Sequence, residues 1–210
     1  MGNQNWSAEE GVAVEKIVAD ILGAGTAWVD RKDESRMVTK ASFLTGELEI
    51  LSWNASVQRA TVYKQGIKPH RADVTAFRRA ILAFITTELL PLYSDKVTKE
   101  ALHYENIEKL IAHANHIGRG VLRGNRYKYG VAQKLLNLIL KYQWCRGLVS
   151  QPPHCPVDRI IMHKAGIRGI NWTQITQRSE YVKVIEAIKE VAVKDGVSIA
   201  QWELRNYNRR

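Results

Sequence analysis

Carboxylates are nearly missing from a third of this chain. From Lys109 to Arg178, seventy consecutive residues, the only acid is Asp158, set among twelve lysines and arginines. That stretch carries a formal charge of +11, and the whole 210-residue sequence carries +10, so the excess charge sits in one segment. A field of that size attracts polyanions, of which nucleic acid is the obvious one. A lone acid in such surroundings is a candidate for a specific task.

Other scarcities narrow the class. No apolar run approaches the ~18–20 residues of a membrane span, so no membrane partner is expected. Proline (5) and glycine (14) are sparse, and no repeat or low-complexity tract is visible, which argues against wholesale disorder. Two cysteines, Cys145 and Cys155, do not make a disulfide framework, and a reduced, cytoplasmic setting is the default. If the protein is bacterial, that means association with the nucleoid. The start, Met1-Gly-Asn-Gln-Asn-Trp6, lacks the charged-then-apolar layout of a signal peptide. His154, Cys155, Cys145 and His163 fall short of a zinc ligand set, and the His-x-Glu of a zinc deaminase is missing from this region. Neither a metal nor a cofactor is therefore expected.

What is present is mostly helical periodicity. At 45% hydrophobic the chain can bury a proper core. Apolar stripes predict helices over 8–22, 73–90, 98–117, 131–145, 157–164, 179–194 and 198–207. Ser7 and Ser198 are candidate caps, and Pro91, Gly118 and Gly147 are candidate stops. Region 24–68 is the least clear. Leu48-Glu-Ile-Leu-Ser-Trp53 and Ala60-Thr-Val-Tyr63 have β-branched and aromatic content, which leaves three readings open there: a small β element near 45–65, loops, or a short helix. The sum is a mainly α, compact multi-helix domain. It has an N-terminal, mostly helical part (1–95) and a basic helical part (96–210), expected to form one unit.

Two neighbouring features of the basic part carry possible chemistry. The first is a glycine-punctuated loop, Gly118-Arg-Gly-Val-Leu-Arg-Gly-Asn-Arg-Tyr-Lys-Tyr-Gly130, feeding a helix with Lys134 near its start. Arg119, Arg123, Arg126 and Lys128 are candidate phosphate ligands, with Tyr127 and Tyr129 interleaved to stack or wedge. The second is Pro156-Val-Asp158 at the start of the next helix, where a carboxylate suits the N-terminal dipole. The eleven residues from Cys145 to Cys155 are long enough to bring Asp158 back towards Lys134.

A glycine-containing loop, a lysine early in a helix and a Pro-Val-Asp at the next helix start resemble the helix-hairpin-helix DNA glycosylases of the 8-oxoguanine type. The likeness covers roughly 118–166. It departs from the family at the hairpin, where Tyr127-Lys-Tyr-Gly130-Val-Ala stands for the usual Leu-Pro-Gly-Val-Gly. The resemblance implies a helix-hairpin-helix fold that grips the DNA backbone through main-chain amides such as that of Gly130. It implies a partner in double-stranded DNA with one nucleotide flipped out. It also implies that Lys134 attacks the sugar C1′ and that Asp158 stabilises the developing positive charge, with AP-lyase activity following. A non-catalytic nucleic-acid binder and a regulatory protein steered by its charge to an acidic partner are the alternatives. Lys134 as a solvated lysine and Asp158 as a plain N-cap fit either of them.

Overall fold

The computed structural model describes residues 39–68, 71–94 and 98–207. The helix expected over 8–22 lies outside the described residues. The chain divides into two compact units, Met1–Leu48 and Glu49–Arg210. Within the described residues there are seven α-helices and no strand, so the mainly α expectation holds.

Helix α1 (Lys40–Val57) starts at a reciprocal pair, in which the Thr39 amide donates to Ser42 Oγ and the Ser42 amide to Thr39 Oγ1, both at 3.0 Å. Of the readings open for 45–65, the β element is not formed and the helix is: Leu48–Trp53 lies inside α1. Apolar residues are spread around α1 with no single stripe, so neither helical nor strand periodicity marks it, and β propensity is a weak prior that tertiary context overrides. All that survives of the β reading is one antiparallel bridge, Tyr63 to Leu122. It is flanked by bonds from the Lys64 amide to the Val121 carbonyl (3.0 Å) and from the Arg123 amide to the Val62 carbonyl (2.9 Å).

Helix α2 (Ala72–Phe84) buries Val74, Phe77 and Ile81. It loosens into a π turn (Ile85–Leu89) and a 3₁₀ turn (Leu90–Tyr93), where Pro91, having no N–H to donate, ends the helical ladder as expected. Helix α3 (Glu100–Ile117) buries Ile107, Leu110 and Ala114 and ends at Gly118. A Cβ at Gly118 would sit 2.6 Å from the Ala114 carbonyl oxygen, so only glycine lets the chain turn there.

Helix α4 (Tyr129–Cys145) is the centre of the second unit, with fourteen of its seventeen residues buried. It packs against α3 and α6. Only a helix surrounded by others can bury so much, and that makes its polar residues informative: Gln133, Lys134, Asn137 and Lys141 are all inside. Helices α5 (Arg159–Lys164), α6 (Arg178–Lys194) and α7 (Ile199–Asn206) follow. Capping boxes open α6 (Gln177 with Glu180) and α7 (Ser198 with Gln201), the second at the serine the sequence marks. Trp202, 2% exposed, anchors α7 to the core.

Candidate nucleic-acid interface and the Lys134–Asp158 pair

The connection between α4 and α5 runs back along α4, as its length allows, and brings Asp158 to Lys134. Lys134 Nζ lies 3.4 Å from Asp158 Oδ2, and the side chains are 10% and 13% exposed. The other oxygen, Asp158 Oδ1, accepts the amides of Ile160 (2.9 Å) and Ile161 (3.1 Å), so the same residue caps α5. The indole of Trp172 covers the amine, with Nζ 4.3 Å from the ring centroid. Burial pushes the Lys134 amine below its ordinary value, the Arg59 guanidinium adds to that, and Asp158 opposes it.

Gln133 sets the register of the pair. Its Nε2 donates to the carbonyls of Gly130 (2.9 Å) and Val157 (2.8 Å), and its Oε1 accepts the Val157 amide at 3.1 Å. The side-chain amide thus pairs with both backbone groups of Val157, the residue before Asp158, from the position before Lys134. Asn137 Nδ2 donates to Gln133 Oε1 (3.3 Å) and to Tyr181 Oη (3.1 Å). Tyr181 meets His154 Nδ1 at 3.1 Å, and His154 Nε2 meets Glu100 Oε1 at 2.8 Å. His154, which the sequence offers as a metal-ligand candidate, is occupied in this chain of bonds. Burial pushes its ring below the ordinary range, against the pull of Glu100. The His154 bond holds the Glu100 carboxyl well below the usual carboxylate range, helped by Lys189 and Tyr104. Among the described residues no group of three or more His, Cys, Asp or Glu could hold a metal.

The basic loop divides into two. Arg123, Arg126 and Lys128 converge on a cleft of about 310 Å³ together with Thr61, Val131 and Gln174. Arg119 lies apart, in a second depression with His116 and Asn125. Tyr127, a candidate to contact nucleic acid, is 1% exposed and Tyr129 2%, so both take the core placement that is the commoner one for tyrosines in such a segment. Tyr127 packs edge-on to Phe77 and Tyr129 packs against Tyr181, because the extended segment entering α4 turns both rings into the core. The Gly130 amide, expected to hold phosphate, donates to the Ile175 carbonyl at 3.0 Å. The glycine has another reason to be there: a Cβ would fall 1.8 Å from the Trp172 carbonyl oxygen, so its absence lets the segment carrying the Trp172 lid lie on α4.

Sequence reasoning missed the other half of the basic surface. Arg59, Lys64 and Arg78 line a larger cleft of about 870 Å³ that shares Thr61 and Val62 with the first. Among the described residues no carboxylate lines either cleft, and none pairs with Arg59, Arg78, Arg123 or Arg126. Residues 59–78 carry a formal +4 of their own, five lysines and arginines against Asp73, but that excess is lost when charge is summed over everything outside 109–178, and only folding shows that it shares a cleft wall with the 109–178 field. Lys134 stands beside these clefts. Val131, one turn earlier on α4, lines the first, Gln174 lines it two residues from Trp172, and Arg59 of the second acts on the amine. No helix among the described residues is long and apolar enough to cross a membrane. No family model matches this chain, and neither does any curated protein or solved structure.

Proposed function

We propose that this protein binds DNA through the paired basic clefts and acts on it as a base-excision glycosylase, with Lys134 as nucleophile and Asp158 as its charge-stabilising partner. The observation that carries the proposal is the buried Lys134–Asp158 contact beside two basic clefts that no carboxylate among the described residues lines. An amine attacks only when neutral, and burial together with Arg59 favours that form. In the step we propose, the Nζ lone pair forms a bond to C1′ as the C1′–base bond breaks. Its electrons leave with the base, which takes up a proton. Asp158 faces the cationic sugar while the charge develops. Opening of the sugar ring then gives an imine between Nζ and C1′, the species that permits strand cleavage.

The test is borohydride reduction during incubation with duplex DNA carrying 8-oxoguanine or an abasic site. The proposal expects a covalent protein–DNA adduct with the native chain and none with Lys134→Gln. A second reading has its own support. Lys141 and Glu203 form a similar buried pair, 11% and 2% exposed, and neither this pair nor Lys134–Asp158 is among the residues lining the clefts, so buried lysine pairs in this chain also serve packing. Salt-sensitive DNA binding without any trapped adduct would favour that reading, a non-catalytic nucleic-acid binder. On either reading Arg123→Ala and Arg126→Ala should each weaken binding to all sequences and lower the salt slope by about one.

A further inference from the structure

The larger cleft differs in chemistry from the smaller one. The cleft of about 310 Å³ offers Arg123, Arg126 and Lys128, with one amide, Gln174, whose oxygen Lys128 already occupies. The cleft of about 870 Å³ adds the side-chain amides of Asn54, Gln58 and Gln65, the half-buried phenol ring of Tyr63, and Trp53 at 3% exposure as part of its lining. Amides in a pocket address the edge of a planar heterocycle, and a phenol ring addresses its face. An amide can also donate to a phosphate oxygen, so what marks this cleft for a base is the ring face of Tyr63 set beside the amides. The volume falls in the range that encloses one small-molecule-sized group. It is far too small for a duplex, whose bases are stacked and whose Watson–Crick edges are paired.

The wall between the two clefts is Thr61 and Val62. Thr61 has a φ of 49°, a left-handed conformation that a β-branched residue rarely adopts. The Tyr63–Leu122 bridge and the amide bonds beside it pin the segment in place. Strain held by its surroundings is a feature of ligand clamps. Here it lies on the ridge that a ligand spanning both clefts would cross.

Building on the nucleic-acid reading above, we propose that the larger cleft is a site for a single unpaired nucleotide. The base lies against Tyr63 with its edge towards Asn54 and Gln58, and the adjoining phosphate crosses Thr61 to Arg123 and Arg126. The preferred ligand is then a single strand rather than an intact duplex, and a duplex binds only by giving up a base.

The experiment is fluorescence anisotropy with the full chain and a labelled oligothymidylate, alone and annealed to oligoadenylate, at one salt concentration. The single strand is expected to bind about tenfold tighter than the duplex. Asn54 and Gln58 are both exposed, so Asn54→Ala/Gln58→Ala leaves the core intact. That double variant should lose about tenfold in single-strand affinity and less than about twofold in duplex affinity. Arg123→Ala should weaken both. Equal binding of the two forms, or equal loss from both in the double variant, overturns the nucleotide site and leaves DNA binding by charge standing. Competition by free thymidine monophosphate as effective as by the strand, nucleotide for nucleotide, reassigns the cleft to a small molecule and overturns the proposal. Binding of neither form removes this site and the function above together.

Discussion

Helix α4 buries two lysines seven residues apart, and their surroundings differ in one respect that matters. Lys134 meets Asp158 at 3.4 Å under Trp172, and Lys141 meets Glu203 at 2.8 Å under Tyr207. In the first pair the burden of burial falls on the base: Lys134 is pushed down. In the second it falls on the acid: burial pushes Glu203 up, Lys141 opposes, and the charge of Asp158 adds to the rise. The reason is the partner. Asp158 has two amides of α5 as well as the lysine to satisfy it, whereas Glu203, 2% exposed, has Lys141. Two similar pairs on one helix thus differ, an amine pushed down by burial beside the clefts and a carboxylate pushed up by burial where α7 meets α4.

The largest effect should come from breaking the inner pair. Glu203→Gln leaves Lys141 a buried cation without its counter-charge and should cost about 3–5 kcal/mol of stability, measured by urea denaturation. Replacing both, Lys141→Met with Glu203→Leu, should return most of that loss, since an apolar pair of similar volume needs no desolvation. If the double variant is no better than the single, the inner pair does not serve packing. The corresponding change at the outer pair should leave folding much less affected. Asp158→Asn keeps an N-cap oxygen, so it should cost under about 1 kcal/mol as a cap while abolishing borohydride trapping.

Gln133→Met should rank next. It leaves the amide and carbonyl of fully buried Val157 without partners, at about 1–3 kcal/mol for each orphaned group. The loss should be accompanied by a change at Lys134, read as a faster rate of amine labelling when Asp158 is no longer held opposite. The Lys141 rate should stay as it was. Equal acceleration at both lysines would mean general loosening and not a register role.

Much of this architecture is legible in the sequence, for reasons that differ by element. Helices α2, α3, α6 and α7 show apolar stripes and punctuation at their ends, and the structure follows them to within a few residues. The approach of Asp158 to Lys134 could be foreseen from the length of the connection and the Pro-Val-Asp at a helix start. Helix α1 could not, because its apolar residues form no stripe. Tyr127 and Tyr129 sit among basic residues and look like surface, yet both rings turn inward, which charge alone does not reveal. Gln133 gave no signal at all: a glutamine beside a lysine is commonplace, and its meaning lies in Val157, twenty-four residues on.

The smallest expected effect separates the pairs by pH. The folded Lys134 value is below the ordinary 10.5, so in the window between them the unfolded chain binds more protons and stability rises with pH. That contribution is present above 10.5 and is lost as pH falls through the folded value. Glu203 behaves in the opposite sense at the acid end: its folded value is above 4.5, so its contribution is present below 4.5 and is lost as pH rises through the folded value. Buried tyrosines such as Tyr127 and Tyr181, pushed up by burial, lower stability at alkaline pH and mask the lysine in the native chain alone. The informative quantity is therefore the difference between native and Lys134→Met stability, followed from neutral pH to about pH 10. It should move in favour of the native chain as pH rises and be flat near pH 5. The difference for Glu203→Gln should do the reverse, moving against the native chain as pH rises above 4.5 and lying flat in alkali. A Lys134 difference that stays level throughout would show that its amine is not tuned by burial, and the contrast between the two pairs would vanish with it.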